Sequence, residues 1–255
     1  MLWSAATSPG ADFGAGATVA EGVVYAGAND GKLYAFNAAN GALRWSAKIP
    51  GGATPAVVGG LLYTVGGGFP GSLYVLRAAN GALLWQAGTY DNAIDPLVAH
   101  GSVFVGDNGG DIYGRSSAGC GSPQCWGWPW RFHTAENGST SHISGLAVAY
   151  GTLFAGSSNG ILYVLDPHTG ALRWRGSTGG EITDSPSIAA GVVWVGTQDG
   201  HLDAFPAHGC GSATCQPLAS IKISQGEPLY ASPAIANGTV YIASYDRRLV
   251  ALSTR

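Results

Sequence analysis

The stretch TLFAGSSNGILYVLDPHTGALRW, residues 152–174, contains the pattern that decides the fold. An apolar run ends in a glycine-containing turn, a second apolar run follows, and a turn ending in glycine leads into Ala-Leu-Arg-Trp. The same pattern recurs in VVYAGANDGKLYAFNAANGALRW at 23–45 and in LLYTVGGGFPGSLYVLRAANGALLW at 61–85. Short strands joined by tight turns and repeated along the chain indicate a repeat architecture made of β strands.

Three weaker copies complete the series: SVFVGDNGGDIYG at 102–114, VVWVGTQDGHLDAF at 192–205 and TVYIASYDRRLVAL at 239–252. A glycine opens each copy, and the six glycines are Gly22, Gly60, Gly101, Gly151, Gly191 and Gly238, spaced by 38, 41, 50, 40 and 47 residues. Four antiparallel strands in about 40 residues are typical of a propeller blade. We therefore predict one all-β domain over residues 1–255, a six-bladed β-propeller of four-stranded antiparallel blades.

The two chain ends are expected to share a blade. The last copy provides only three strands, at Ser232–Asn237, Thr239–Ser244 and Arg248–Ser253. Met1-Leu2-Trp3-Ser4 matches the Leu-Arg-Trp-Ser at 43–46, and counting from Gly238 through both ends to Gly22 gives 39 residues. We predict that Met1–Ala5 is the fourth strand of the C-terminal blade and closes the ring. The start of the sequence has no charged and apolar leader pattern, so either the protein is made without an export signal or, as we expect, the sequence begins after it.

The repeat resembles a known family. Asp166-Pro-His-Thr-Gly170-Ala-Leu-Arg-Trp174 is similar to the tryptophan-docking repeat of quinoprotein-type (PQQ-like) propellers, as are Asn40-Gly41 with Trp45 and Asn80-Gly81 with Trp85. The resemblance implies that a tryptophan of each blade packs against the neighbouring blade. The docking positions are Trp3, Trp45, Trp85 and Trp174, with Leu218 in the fifth blade and no assigned residue in the third.

The resemblance implies a fold more than a function, because the repeat occurs in quinone dehydrogenases, outer-membrane assembly scaffolds and sensor ectodomains. The dehydrogenases have eight blades, an adjacent cysteine pair, a calcium site and a catalytic Asp. This chain has six repeats and no adjacent cysteines. We therefore place it in the non-dehydrogenase branch and expect no catalytic residue, no metal and no PQQ, although a Ca²⁺ site stays open.

The four cysteines form two identical spacings, Cys120 to Cys125 and Cys210 to Cys215. Zinc sites usually have two residues between paired cysteines, whereas four separate them here. We predict two local disulfides, and hence a secreted, periplasmic or cell-surface protein.

Candidate ligand-binding residues lie in the loops that join the last strand of one blade to the first strand of the next, here called D–A loops. These loops contain Asp12, Asp91, Asp95, His142, Glu181, Asp184, Glu227 and Tyr230. We expect them to rim one mouth of the channel, where converging carboxylates would attract a cation, sugar hydroxyls or a basic peptide. Solvated loop acids are the simpler alternative. The loops contain no Arg or Lys to clamp a quinone, and Arg247 and Arg248 are expected on the opposite face.

A second candidate is the aromatic run Cys125-Trp126-Gly-Trp128-Pro-Trp130-Arg131-Phe132. Strand alternation would put Trp126, Trp128 and Trp130 on one side. That side would either pack against a neighbouring blade or form an exposed platform for a glycan or a protein.

The composition of the chain limits the classes of partner that we expect. The chain has 12 Lys and Arg against 15 Asp and Glu, a net charge of −3, without a basic cluster, which argues against nucleic acid. No apolar run is long enough for membrane insertion.

The leading hypothesis is a bacterial, non-catalytic scaffold that binds a small molecule, glycan or protein. The alternatives are an oxidoreductase with Asp95, Asp184 or Glu227 as base, and a sensor ectodomain.

Overall fold

The structure is a computed structural model that describes residues 2–6, 11–50, 53–67, 70–134 and 141–253. Throughout these residues the secondary structure consists of strands and turns, without a helix. No helix in this part of the chain is therefore long and apolar enough to cross a bilayer. The chain divides into two compact units, residues 1–109 with 113–129 and residues 110–112 with 130–255.

The first unit contains three blades. Its strands are β1 (Thr18–Ala20), β2 (Val23–Ala28), β3 (Lys32–Asn37), β4 (Leu43–Lys48), β5 (Ala56–Val58), β6 (Leu61–Gly66), β7 (Ser72–Arg77), β8 (Leu83–Gly88), β9 (Leu97–Ala99), β10 (Ser102–Gly106), β11 (Asp111–Ser116) and β12 (Gln124–Cys125). The sheet orders are β1-β2-β3-β4, β5-β6-β7-β8-β12 and β9-β10-β11. The first two residues of β11 are counted with the second unit.

The second unit contains the remaining strands. They are β13 (Trp130–His133), β14 (Ile143–Ala149), β15 (Thr152–Ser157), β16 (Ile161–Leu165), β17 (Leu172–Ser177), β18 (Ser187–Ala189), β19 (Val192–Gly196), β20 (His201–Pro206), β21 (Thr214–Cys215), β22 (Ala219–Lys222), β23 (Ala234–Ala236), β24 (Thr239–Ser244) and β25 (Arg248–Ser253). The sheet orders are β14-β15-β16-β17-β21, β18-β19-β20-β22 and β23-β24-β25, while β13 follows β11 in the third blade.

The all-β propeller fold predicted from the repeat is confirmed. Each full blade has four antiparallel strands, called A to D in chain order, and the two middle strands are the most deeply buried. The A strands of successive blades lie side by side. In the first unit β5 lies between β1 and β9, and in the second unit β18 lies between β14 and β23. The single domain of six blades stays a prediction.

The turn types differ from the usual assignment for such sequences. The sequences Asn-Asp-Gly and Gln-Asp-Gly between strands B and C are typical of a type I′ turn and predict one there. In the first blade only Gly31 has positive φ (75°) in that turn, which is typical of a type I turn followed by one left-handed residue. The two-residue A–B turn has positive φ at both Glu21 (50°) and Gly22 (72°), so the type I′ geometry lies there.

Tryptophan docking occurs five times among the described residues, each time within one unit. The indole of one blade lies against a glycine with positive φ in the C–D turn of the next. The pairs are Trp3–Gly41, Trp45–Gly81 and Trp85–Gly119 in the first unit, and Trp130–Gly170 and Trp174–Gly209 in the second. A Cβ added at Gly81 would lie 2.6 Å from Cε3 of Trp45, so only glycine fits under the ring. The Trp45 Nε1 also donates to the Ala78 carbonyl at 3.0 Å.

Two docking expectations are corrected. Trp130 is the docking residue of the third blade, which the sequence had left unassigned, because β13 begins at this residue. Leu218 does not fill a slot, since 65% of it is exposed and it precedes β22.

The N-terminal segment docks as its sequence predicts. Trp3 packs on Gly41 and its Nε1 donates to the Ala38 carbonyl at 2.9 Å, as Trp45 does one blade further on. Residues 2–6 form no strand and the last sheet has three strands, while Met1 lies outside the described residues. A fourth strand at Met1–Ala5 that closes the ring therefore stays a prediction.

Both predicted disulfides, Cys120–Cys125 and Cys210–Cys215, are present. Each loop lies in a C–D connection and contributes a feature that the sequence did not indicate. In the first loop, β12 pairs in parallel with β8 of the preceding blade, and in the second, β21 pairs in parallel with β17. Because an unpaired outer strand invites association, each loop protects the edge of its neighbour.

Alanine substitutions at Gly81 and Gly60 should separate backbone strain from docking. Both glycines have positive φ, but nothing lies within 4 Å of a Cβ at Gly60. Gly60→Ala should cost about 1–2 kcal/mol of unfolding free energy from the left-handed backbone. Gly81→Ala should cost about 1–3 kcal/mol more, because the methyl group displaces Trp45. Urea unfolding of both variants measures the difference, and equal losses would contradict the docking role.

Candidate functional site

The D–A loops and the B–C turns lie at the same edge of every blade. In each blade, a backbone N–H of the turn donates to a carbonyl of the loop. The pairs are Asn29 to Asp12, Gly67 to Pro50, Asn108 to Asn92, Ser158 to His142, Gln198 to Glu181 and Tyr245 to Pro228. Strand order explains this arrangement, because strands B and D both run towards the edge from which strands A and C return.

The expected separation of Arg247 and Arg248 from the D–A loops is therefore wrong. Arg248 donates to the Ile223 carbonyl at 2.7 Å, which places it beside the start of the last D–A loop. Its guanidinium also binds Asp246 and lowers the pKa of that carboxyl. The lack of a cation near the loops consequently no longer argues against a quinone.

One of the predicted loop residues of the first unit, Asp95, has a contact within the fold. Its Oδ1 accepts the backbone N–H of Thr54 at 3.0 Å, although the residue is exposed. Thr54 lies in the D–A loop of the preceding blade. The carboxylate therefore joins two neighbouring loops, a role that does not need a ligand.

In the second unit, His142, Glu181, Glu227 and Tyr230 are exposed, and Asp184 is half-buried. Asp184 accepts the backbone N–H of Ser185 at 2.7 Å. The Tyr230 ring lies 5.9 Å from that of Tyr245 in an edge-on arrangement. Among the described contacts, none joins two of the predicted side chains, so a shared acidic site at the mouth stays a prediction.

The three tryptophans of the third blade point to different surroundings, so the expectation that they share one side is wrong. Trp130 is buried on Gly170, Trp128 is half-buried, and 87% of Trp126 is exposed. The alternation argument fails because β13 begins only at Trp130. Trp126 and Trp128 belong to the irregular segment between the disulfide and the strand.

A pocket of about 450 Å³ lies beside the first disulfide loop, within the first unit. Its walls come from the end of β8 and from the segment after Cys125. The lining residues are Pro70, Gly88, Thr89, Tyr90, Gln124, Cys125, Trp126, Gly127 and Trp128. This volume is in the range of small-ligand pockets. The structure thus brings the two predicted tryptophans, Trp126 and Trp128, into one concave surface.

The floor of this pocket is supported by Arg115, which sequence reasoning missed. Its guanidinium lies 5.5 Å from the ring of Trp85 and 5.2 Å from that of Trp128. Arg115 is only 7% exposed, and burial lowers the pKa of its guanidinium. Cation–π contacts with two indoles partly offset the cost of burying this charge.

Tyr90 is a second residue that the sequence did not indicate. Its backbone N–H donates to the Tyr113 hydroxyl at 3.1 Å, and that hydroxyl donates to the buried Asp107 at 2.7 Å. The two tyrosine rings are stacked 6.5 Å apart. These contacts place Tyr90, which is 63% exposed, at the pocket wall.

A second pocket of about 540 Å³ lies beside the other disulfide loop, within the second unit. Tyr150, Arg173 and His208 line it, and the Tyr150 and His208 rings are 5.0 Å apart. Arg173 bonds Asp166 at 2.7 Å and Thr152 at 2.6 Å, and it holds the pKa of Asp166 well below its usual range. Because its cation is already paired, this pocket is a weaker candidate.

Asp203 is a buried carboxylate that the sequence analysis overlooked. Its place in strand C is that of Tyr34, Tyr74 and Tyr163 in other blades, as the pairing of each with strand B shows. Burial raises the pKa of Asp203, and a hydrogen bond with Ser220 and the nearby His201 oppose the shift.

In the described part of the chain, no three His, Cys, Asp or Glu side chains are grouped to hold a metal ion.

Repeat, topology and docking define the chain as a β-propeller of PQQ-like repeats. A family model described as outer membrane protein assembly factor BamB matches residues 1–119 and 128–209, so the chain belongs to the BamB family. It is 28% identical over 123 residues to BamB of Shewanella oneidensis, covering 46% of this chain and 31% of that protein. It is 31% identical over 97 residues to BamB of Alteromonas naphthalenivorans, covering 38% and 23%. The chain thus aligns with at most about a third of these relatives' length.

Solved structures show the same fold. BamB from Moraxella catarrhalis superposes with a TM-score of 0.70 at 19% identity, over 94% of this chain and 76% of that one. The computationally designed Ika8 protein superposes with a TM-score of 0.64 at 16% identity, over 93% and 82%.

Replacing Asp203 by Asn should make stability less sensitive to pH. A carboxyl whose pKa is raised in the folded state loses stability as the pH rises from about 4 through that pKa. Asp203→Asn should therefore gain stability relative to the parent between pH 4 and pH 8, measured by urea unfolding. Asp166→Asn should show the opposite sign, and chiefly at pH values below about 4, because the pKa of Asp166 is lowered and its stabilisation is lost only as the pH falls below the unfolded value. A gain that is equal at both pH values would contradict the burial of an ionised Asp203.

Proposed function

We propose that this protein is a non-catalytic scaffold propeller that binds protein partners during outer-membrane protein assembly. The family match over residues 1–119 and 128–209 is the observation that carries the proposal. The blades provide a rigid support, and the irregular loops between them provide the binding surfaces, which is the usual division of roles in such folds.

The setting proposed is outside the reducing cytoplasm, in the periplasm or at the cell surface, or after secretion. The two disulfides support this, because such bonds persist in oxidising compartments. Each disulfide holds a short strand against a neighbouring blade. Reduction would release both edges.

Two surfaces are proposed for partners. One is the pocket at Trp126 and Trp128, and the other is the edge formed by the D–A loops with Asp95, His142, Glu181, Asp184, Glu227 and Tyr230. The contact from Asp95 to Thr54 supports a structural role for that carboxylate rather than a role as a base. We infer that the scaffold works without PQQ, because the sequence lacks the adjacent cysteine pair. Ca²⁺ at the D–A loops stays a proposal.

The proposal can be tested by complementation in Shewanella oneidensis that lacks its own BamB. The chain, directed to the periplasm, should restore the amount of assembled outer-membrane β-barrel proteins to at least about half of that supported by the native factor. The empty vector and the native gene are the two reference strains. A chain that is folded and abundant in the periplasm, yet leaves β-barrel protein amounts at the level of the empty vector, would contradict the proposed function.

A further inference from the structure

We propose that the pocket at Trp126 and Trp128 binds an uncharged, proline-containing segment of a protein partner in the extended polyproline II conformation. This inference rests on the proposed scaffold function and names the kind of segment that the scaffold holds. Among the described residues of the lining, no side chain is charged at neutral pH. A charged segment would therefore lose water without reaching a counter-charge, because the nearby Arg115 guanidinium is buried against the rings of Trp85 and Trp128.

The floor of the pocket is fixed before any ligand arrives. Trp128 donates from Nε1 to the Gly88 carbonyl at 2.7 Å, and its ring lies 5.0 Å from Tyr113 and 5.2 Å from the Arg115 guanidinium. The disulfide at Cys125 and the pairing of β12 with β8 hold the adjacent backbone. A preformed site has little entropy to lose on binding, and a polyproline II ligand is also preformed.

Beside the pocket, addition of a partner strand to β8 is blocked at two residues. Gln86 and Ala87 of β8 already pair with Gln124 and Cys125 of β12. A peptide cannot bond to backbone groups that this pairing occupies. Recognition by side chains on aromatic surfaces remains, and polyproline II segments bind aromatic-lined grooves in this way.

A glycan fits the pocket less well, because several polar groups in the lining are already engaged. Thr89 donates its hydroxyl to the Asp91 carbonyl at 2.8 Å, and Gln124 Oε1 accepts from Gln86 at 2.6 Å. The Nε1 of Trp128 is bonded to Gly88. A ligand with many hydroxyl groups needs more partners than the lining offers, whereas proline rings need mainly apolar contact.

The size of the pocket also favours an extended segment. A helix with its side chains is about 10–12 Å across and needs a groove several turns long. A concave volume of about 450 Å³ is in the range of small-ligand pockets, so it receives side chains of a segment rather than a whole helix. Trp126, with 87% of its surface exposed, then forms a wall against which a proline ring can pack.

The test measures binding of a ten-residue proline peptide to the full chain by isothermal titration calorimetry. A glycine–serine peptide of equal length and cellohexaose are the comparison ligands. We expect binding of the proline peptide alone. Trp126→Ala should weaken it at least about tenfold, as is common for a central interface tryptophan. Trp126→Phe should retain affinity within about threefold, because the aromatic face is kept.

Leu218→Ala is the matched control, since Leu218 is an exposed apolar residue outside the pocket. It should bind the proline peptide like the parent. The inference is overturned if the proline peptide does not bind at millimolar concentration, if Trp126→Ala binds like Leu218→Ala, or if cellohexaose binds more tightly than the peptide. Complementation without peptide binding would refute this inference alone, and peptide binding without complementation would refute the proposed function alone.

Discussion

The contact between an indole and a glycine of the next blade is the interaction on which the rest of the structure depends. A blade has few neighbours, so its outer part needs a contact that fixes both distance and angle to the next blade. The flat face of Trp45 over Gly81 provides both, because a side chain at residue 81 would collide with the ring. The hydrogen bond from the indole to Ala78 fixes the ring within its plane. The same arrangement at Trp3 and Gly41 shows that the N-terminal segment belongs to this system.

The disulfide loops are built on this contact. Gly119 and Gly209, which receive Trp85 and Trp174, directly precede Cys120 and Cys210. Each loop therefore starts from a point fixed against the preceding blade, and this position allows its short strand to pair with that blade's outer edge. In the third blade the chain then leaves the disulfide through Trp126 and Trp128 before β13 begins, and the pocket forms at this exit. The docking contact and the candidate binding surface are thus consecutive features of one segment.

The sequence predicted the fold well because the repeat is local and periodic. The strands Thr239–Ser244 and Arg248–Ser253 were predicted with their observed bounds. The type I′ turn predicted between strands B and C lies instead between strands A and B, because Asp-Gly and Asn-Gly fit both a type I′ turn and a type I turn with a left-handed residue. Strand direction alone places the D–A loops and the B–C turns at a common edge of the blade. The expectation that Arg247 and Arg248 lie on the opposite face was wrong because it did not use this constraint.

The candidate site was only partly predictable. The three tryptophans after Cys125 indicated a binding surface. Their spacing alone did not predict which of Trp126, Trp128 and Trp130 are buried, because that depends on where the strand begins. Arg115 and Tyr90 are ordinary residues in sequence, and their role depends on contacts with Trp128 and Tyr113. Asp203 could have been found by alignment of the repeats, because it replaces a tyrosine in strand C.

A double-mutant cycle on Trp45 and Gly81 tests the central claim most directly. The unfolding free energies of the parent, Trp45→Ala, Gly81→Ala and the double variant are measured in urea. If docking sets the blade contact, Gly81→Ala should cost only about 1–2 kcal/mol of backbone strain once the indole is gone, which leaves a coupling energy of about 1–3 kcal/mol. Losses that add within about 0.5 kcal/mol would show that the two residues act independently, and would contradict the account.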